Sequence, residues 1–309
     1  MTPGTGAPRT CTISVPEPFP WVPLVRSLAA HAVPGLESVQ FDGMAASVAR
    51  LLPAPGGPVW AEVEFGAPET VTLRLADGDP VNDGAVLEGV RRWLDLDAPA
   101  AAVDGFLSGF PVLAPLVAAR PGLRIPGSVD PWETAVLTVL GQQVSLAAAR
   151  TFGARLVHAF GTHGPGGFSV FPSPQRLAGA GAKQLQAAVR VPGTRARTVQ
   201  ALAEAVAGGL DLAGTRTPEE PGLEAGTRTA LLALPGIGPW TVDYLAVRAA
   251  GDRNGFVPGD LVLRRALGVG TAREATALAE PWRPWRAYAL FHLWTAAAYD
   301  RPGTAASTP

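Results

Sequence analysis

The segment LPGIGPWTVDYLAVRA, Leu234 to Ala249, constrains this chain more than any other. Apolar helix-like residues (RTALLA) run up to it, and a helix-like run follows it. Between them stand two glycines and two prolines, residues that break a helix and allow backbone geometries that side chains forbid. The segment therefore predicts two helices joined by a tight hairpin. Two readings of that hairpin stand side by side. It is a plain turn between packed helices, or it is a helix-hairpin-helix. In the second reading Ile237 is a buried plug, and the backbones of Gly236 and Gly238 let a phosphate approach without any basic side chain. It is not a dinucleotide fingerprint, because the third glycine is absent and no strand precedes it. Nor is it a nucleoside-triphosphate loop, since no lysine follows the second glycine.

The rest of the chain supplies the context for that hairpin. At 309 residues it is long enough for two or three packed units. VWAEVEF (Val59–Phe65) and TVTLRLAD (Thr70–Asp77) alternate apolar and polar residues as half-buried strands do. WVPLVRSLAAHAV and GAVLEGVRRWLDL carry apolar residues at helical spacing. After about Gly105 strand signals stop, and Gly- and Pro-punctuated helical segments follow, including DPWETAVLTVLGQQVSLAAARTFGARLVHAFG as one stretch. Asp130, Pro131 and Glu133 read as a capped helix start. The predicted class is α+β: a small N-terminal antiparallel-sheet domain over residues 11–106, then two packed all-α subdomains. One all-α subdomain spans 131–252 and holds the hairpin; the other combines 107–130 with 253–300. Residues 1–10 and 301–309 read as flexible tails.

Composition removes several classes of function. No apolar run reaches the roughly 20 residues of a membrane span, and no apolar signal core opens the chain. A single cysteine, Cys11, excludes an intrachain disulfide and any four-cysteine metal site. Four scattered histidines offer no metal spacing. The expectation is a cytoplasmic monomer that needs no cofactor. A net charge of −1 argues against broad electrostatic binding of nucleic acid but leaves room for a local contact.

About twenty residues past the hairpin, GFVPGDLVLRRAL breaks at Pro258-Gly259 and opens a short helix at Asp260. Asp260 reads either as an ordinary helix cap or as an acid at the mouth of a pocket. Aromatic residues gather in the same region: Trp240 and Tyr244, four apart on one helix face, then Trp282, Trp285, Tyr288, Phe291 and Trp294. Tyr288 and Phe291 are expected in the core. The others, beside a lone carboxylate, describe a wall on which an electron-poor planar ring could stack.

RPGLRIPGSVDPWE, VLGQQVS, FPSPQRLA, LPGIGPWTVDYLAVRA, FVPGDLVLRRAL and PWRPWRAYALFHLW occur in that order between Arg120 and Tyr299. Jointly they resemble the helix-hairpin-helix (HhH-GPD) DNA glycosylases of the 3-methyladenine DNA glycosylase II type, and the α+β start suits that family's amino-terminal domain. The resemblance implies a monofunctional glycosylase that flips alkylated purines (3-methyladenine, 7-methylguanine) out of double-stranded DNA for base excision repair, in a bacterial, nucleoid-associated setting. Asp260 matches the family's catalytic aspartate; Trp240, Tyr244 and Trp294 match the base-pocket aromatics. Gly236, Ile237 and Gly238 match the hairpin that grips a phosphate, there with a monovalent cation, Na+ or K+, which would sit on backbone near Leu234 and Gly236. Gln143 occupies the place of the wedge that fills the hole left by the flipped base. Some relatives carry an apolar wedge, and Pro239 lacks an N–H, so the hairpin has one donor fewer than usual.

The competing hypothesis is a non-catalytic DNA-binding module whose aromatics are only core, or a glycosylase with another lesion spectrum. Lyase-type members of the superfamily carry a lysine where Trp240 stands, and the only lysine here is Lys183. A methyl-transfer regulatory domain, which precedes such domains in some relatives, is not expected in a chain that starts directly at the α+β unit. His292 reads as a satisfied core histidine, Asp243 as a support for the hairpin helix, and GTHGPGGFSVF as a surface loop. Arg283 and Arg286 read as phosphate contacts or as braces for nearby carbonyls; Arg264 and Arg265 as a solvated face or a phosphate contact.

Overall fold

The computed structural model describes residues 9–67, 69–76, 82–216 and 221–299. The first unit is a five-stranded antiparallel sheet built from β1 (Arg9–Ser14), β2 (Glu37–Phe41), β3 (Ala46–Leu52), β4 (Val59–Phe65) and β5 (Thr70–Leu75), in the spatial order β1-β5-β4-β3-β2. Strand alternation fixes its register: Val48 faces Val63, and Ile13 faces Val71, all buried. Onto the sheet pack α1 (Trp21–His31), through Leu24, Val25 and Leu28, and α2 (Asp83–Trp93), through Val86, Val90 and Trp93. Arg9 and Thr10, expected in the tail, form the first rungs of β1 against Leu75 and Arg74. The rest of the expected tails, residues 1–8 and 301–309, lies outside the described residues.

Helices then follow almost without interruption: α3 (Ala100–Leu107), α4 (Ala114–Ala119), α5 (Pro131–Gly141), α6 (Leu146–Phe160), α7 (Pro174–Val189) and α8 (Gly193–Ala207). Two small hairpins, β6 (Thr162–His163) with β7 (Ser169–Val170) and β8 (Thr215–Arg216) with β9 (Pro221–Gly222), are inserted among them. α9 (Ala225–Leu232), α10 (Pro239–Arg248), α11 (Leu261–Leu267), α12 (Ala272–Ala279) and α13 (Arg286–Trp294) complete the set. The start of α5 has the cap its sequence predicts: the Asp130 carboxylate accepts the Trp132 N–H at 2.9 Å. None of the described helices is long and apolar enough to cross a membrane.

Three details depart from expectation. α3 falls within the range assigned to the α+β unit, yet Val103 and Leu107 are buried with the C-terminal helices, because that face is apolar at helical spacing. The stretch expected as one long helical segment from Asp130 is two helices, broken at Gln142–Ser145, with Ser145 capping α6. The expected surface loop GTHGPGGFSVF contains the β6–β7 hairpin. Gly166 lies so close to the Trp60 ring on β4 that a side chain would collide with it.

The helices form two apolar cores. One draws on α5 to α10, with Leu140, Leu156, Val199, Val242 and Leu245 among its members. The other draws on α3, α4 and α11 to α13, with Leu107, Leu263, Tyr288 and Phe291. α10 is rooted in both: Val242 and Leu245 in the first, Val247 in the second. Trp240 and Tyr244, on that same helix, also pack against the second core. The hairpin helix is thus the seam between the two cores, and it carries its aromatics along that seam.

Candidate active site

The hairpin takes the form the sequence implies. α9 and α10 flank it, and Ile237 is 5% exposed, buried among the residues of the first core. Its two glycines have different physical roles. Gly236 has φ of +79°, and a Cβ there would collide with the Thr198 hydroxyl on α8, so both conformation and space require glycine. Gly238 has φ of −112°, and a Cβ there would meet nothing within 4 Å. No neighbour within the fold requires glycine at 238, which leaves that backbone bare toward the outside. Asp243 supports the hairpin as expected: its carboxylate pairs with Arg228 on α9 at 2.5 Å, joining the two helices.

Asp260 caps α11, its Oδ1 accepting the Leu263 N–H at 2.8 Å. The cap reading is therefore correct, and it does not compete with the other one. Oδ1 also accepts the Trp294 indole N–H at 3.0 Å, and Oδ2 accepts the Trp240 indole N–H at 3.2 Å. Three donors from three elements hold one half-buried carboxylate. Trp240 stacks on Tyr244, with ring centres 5.2 Å apart and planes 20° apart, and Tyr244 tilts toward Trp294 at 6.0 Å. Behind them the Arg248 guanidinium lies 6.0 Å from the Tyr244 ring centre and 5.5 Å from that of Phe291. The structure therefore brings Asp260, Trp240, Tyr244 and Trp294 into one cluster, and makes the indoles hydrogen-bond donors as well as ring surfaces.

The remaining aromatics belong elsewhere. Tyr288 and Phe291 are core, as expected, and the Tyr288 hydroxyl donates to Asp95 at 2.9 Å. Trp282 packs edge-on to Phe256. His292 is fully buried, but it is not the satisfied histidine expected: neither ring nitrogen has a well-formed hydrogen bond. Burial and nearby Arg120 lower its pKa to about 4. Arg286 is a brace, donating to the Asn254 carbonyl at 2.9 Å; Arg264 donates to the Gly270 carbonyl at 2.5 Å, and Arg283 pairs with Glu280 at 2.7 Å.

Gln143 sits exposed at the break between α5 and α6, with φ of +54°. What the sequence concealed is its neighbour. The Gln142 side-chain amide donates to the Gly236 carbonyl at 3.1 Å and to the Thr241 hydroxyl at 2.9 Å, joining it to residues 94 and 99 positions further along the chain. Two adjacent glutamines give no sign of which one turns inward.

A polar cavity of about 570 Å³ opens between α9, α10 and the segment before Asp260, lined by Arg228, Asp243, Asp252, Phe256 and Arg286 among others. Asp260 is not among its walls. Arg228 pairs with Asp243, Asp252 accepts the Asn254 N–H and Arg286 donates to the Asn254 carbonyl, and burial raises the pKa of both aspartates. It offers no aromatic and carboxylate pairing like that at Asp260. Among the described residues no group of three or more His, Cys, Asp and Glu side chains could hold a metal ion.

Two families match successive stretches of the chain. The AlkA N-terminal domain matches residues 10–130, and the HhH-GPD superfamily base excision DNA repair proteins match residues 136–276. DNA-3-methyladenine glycosylase 2 of Escherichia coli is 34% identical over 285 residues, which cover 92% of this chain and 96% of that one. The chain belongs to the HhH-GPD superfamily, on its DNA-3-methyladenine glycosylase 2 branch. A probable bifunctional transcriptional activator/DNA repair enzyme AlkA of Mycobacterium tuberculosis is 39% identical over 306 residues. This HhH-GPD chain spans 58% of the length of that relative. The 3-methyladenine DNA glycosylase of Archaeoglobus fulgidus has the same fold, with a TM-score of 0.76 at 20% identity over 93% of this chain and 98% of the other. The HhH-GPD match begins within α5 and ends within α12, so it takes in Gln142, the hairpin and Asp260. Trp294, from α13, lies beyond it.

Proposed function

We propose that this chain is a monofunctional DNA glycosylase that removes alkylated purines from duplex DNA. The observation that supports this most directly is the Asp260 carboxylate, held by two indole N–H groups at the edge of a stacked aromatic cluster. A base inside a duplex is out of reach, so it must be extruded at a few kcal/mol, less for one already weakly stacked. Gln143 would fill the vacated space. The backbone around Gly236, Ile237 and Gly238 would hold a phosphate, with Gly238 offering the open approach.

A purine alkylated at N3 or N7 carries positive charge and leaves without a general acid. Stacking that cation against Trp240, Tyr244 and Trp294 favours it by about 0.5–2 kcal/mol per ring. As the glycosidic bond breaks, its electron pair departs with the base and the sugar becomes oxocarbenium-like. The Asp260 carboxylate stabilises that charge and orients the water that adds to C1′. Because three N–H donors fix its position, it needs no rearrangement when the charge develops. Asp260→Asn should slow single-turnover release of 3-methyladenine by at least about 100-fold; a near-normal rate would rule the assignment out.

The site holds no amine to attack the sugar, since Trp240 follows the hairpin and Lys183 lies on α7. Borohydride should therefore trap no protein–DNA adduct. A structural Na+ or K+ at the hairpin would rest on the Leu234 and Gly236 carbonyls, each of which already accepts one N–H, from Ile237 and from Gln142, and keeps a second lone pair. The reading further places the protein as a monomer on the bacterial nucleoid, where its substrate lies.

A further inference from the structure

We propose that Gln142 is a positioning residue that locks the duplex wedge to the phosphate-binding hairpin, so that both meet DNA as one rigid body. The inference rests on the functional reading above and concerns how the same site opens a duplex. α5 ends at Gly141, and the backbone then turns sharply: Gln142 is extended (φ −56°, ψ 126°), and Gln143 is left-handed. Their side chains diverge. Gln143 stays exposed, while Gln142 turns in and is half-buried.

A primary amide has two N–H donors, and here it meets two acceptors, the Gly236 carbonyl and the Thr241 hydroxyl. The main-chain carbonyl of Gln142 accepts the Arg195 guanidinium at 2.5 Å. Arg195 stands on α8, one turn before Thr198, the residue against which Gly236 is pressed. The contacts form a closed circuit: Gln142 to the hairpin, hairpin to Thr198, α8 back through Arg195 to Gln142. A left-handed non-glycine residue persists only where its surroundings over-determine it, and this circuit fixes the residue directly before Gln143. A wedge displaced by about 1 Å loses much of its effect, because catalytic geometry tolerates little slack. Glutamate at 142 would keep the shape but could not donate to the Gly236 carbonyl.

The test is a double-mutant cycle between positions 142 and 143, read by base flipping rather than base release. Stopped-flow fluorescence of 2-aminopurine beside the target base is measured on an uncleavable duplex for wild type, Gln142→Ala, Gln143→Ala and the double variant. Gln142→Glu serves as the shape-preserving control. Gln142→Ala should reduce the flipped population by about tenfold, the scale expected for two lost hydrogen bonds, and Gln143→Ala, which removes the wedge itself, by at least as much. The double variant should be no worse than Gln143→Ala alone, because a strut acts only through what it holds. Additive losses, or a flipped population indifferent to Gln142→Ala and Gln142→Glu, would overturn the inference. Should Gln142→Ala fail to fold, Thr241→Val removes one acceptor and enters the same cycle with a smaller loss expected. Absence of any fluorescence gain with wild type would sink the functional reading and this inference with it. Flipping by wild type on that duplex, with no base release from its cleavable counterpart, would sink the glycosylase reading alone.

Discussion

The two hairpin glycines separate folding from binding. At Gly236 an alanine meets both a left-handed backbone and the Thr198 hydroxyl. Gly236→Ala should therefore destabilise the protein by about 1–3 kcal/mol, lowering its melting temperature. At Gly238 an alanine has an allowed conformation and empty space. Gly238→Ala should leave stability within about 0.5 kcal/mol while weakening duplex binding several-fold. Calorimetry together with fluorescence anisotropy checks the pair. Equal effects on stability and affinity at both positions would refute the distinction. Asp260 is likewise both a cap and the proposed acid, and the sequence posed those two roles as rivals. An ionised carboxylate has about four lone-pair sites, and the three N–H donors here leave it both spare acceptor capacity and its charge, so it can serve both.

Among the elements, a buried ion group joins the sheet to the first helical core. Arg50 on β3 is 5% exposed and donates to both oxygens of Glu133 on α5 at 2.8 Å, and to Glu37 on β2 at 3.1 Å. Its guanidinium also lies over the Trp93 ring of α2 at 5.6 Å. Removing one member of a buried ion group strands the others without water. Arg50→Ala should therefore lose about 3–5 kcal/mol of stability in denaturant melts, and Arg50→Met with Glu133→Leu should recover much of it. A loss below 1 kcal/mol would show that water reaches the carboxylates. Little of this was legible in the sequence, where Arg50 and Glu133 lie 83 residues apart. Glu133 read only as a first-turn acid. What was legible was punctuation and period: the hairpin, the strands at Val59 and Thr70, the helix at Pro131 and the core positions Tyr288 and Phe291. The break after α5 went unseen because two glutamines, not glycine or proline, make the turn. Aromatic content suggested a wall beside Asp260, but periodicity cannot say that two of the rings point their N–H groups at it.

At the scale of the molecule, buried titratable groups set the response to acid. The His31 Nδ1 faces the Ser27 carbonyl at 2.9 Å, and burial with Arg248 nearby lowers its pKa from 6.5 to about 4. His292 is lowered to a similar value. Between about 4 and 6.5 the unfolded chain binds protons at both histidines that the folded chain refuses, so stability rises with pH through that window. Asp95 acts in the opposite sense. Burial raises its pKa from 3.8 to about 6, so it holds a proton when folded that it gives up when unfolded, and stability falls as pH rises between those values. Glu37, Asp104, Asp130, Asp243 and Asp252, also raised by burial, act in the same sense as Asp95, so histidines and carboxylates oppose one another across the window. Relative to wild type, His292→Leu should make the melting temperature rise less between pH 4 and pH 7, whereas Asp95→Asn should make it rise more. Slopes unchanged from wild type in both variants would contradict these assignments.

The double rooting of α10 bears on redesign of this protein for other bases. Trimming Val242, Leu245 or Val247 to make room would hollow out a core whose packing fixes the indoles as well, so a broader substrate range gained there would come with a looser scaffold. Leu261 and Val262, 50% and 38% exposed on the residues directly after Asp260, belong to neither core. They are positions where variation can reshape the surface beside Asp260 while both cores stay untouched.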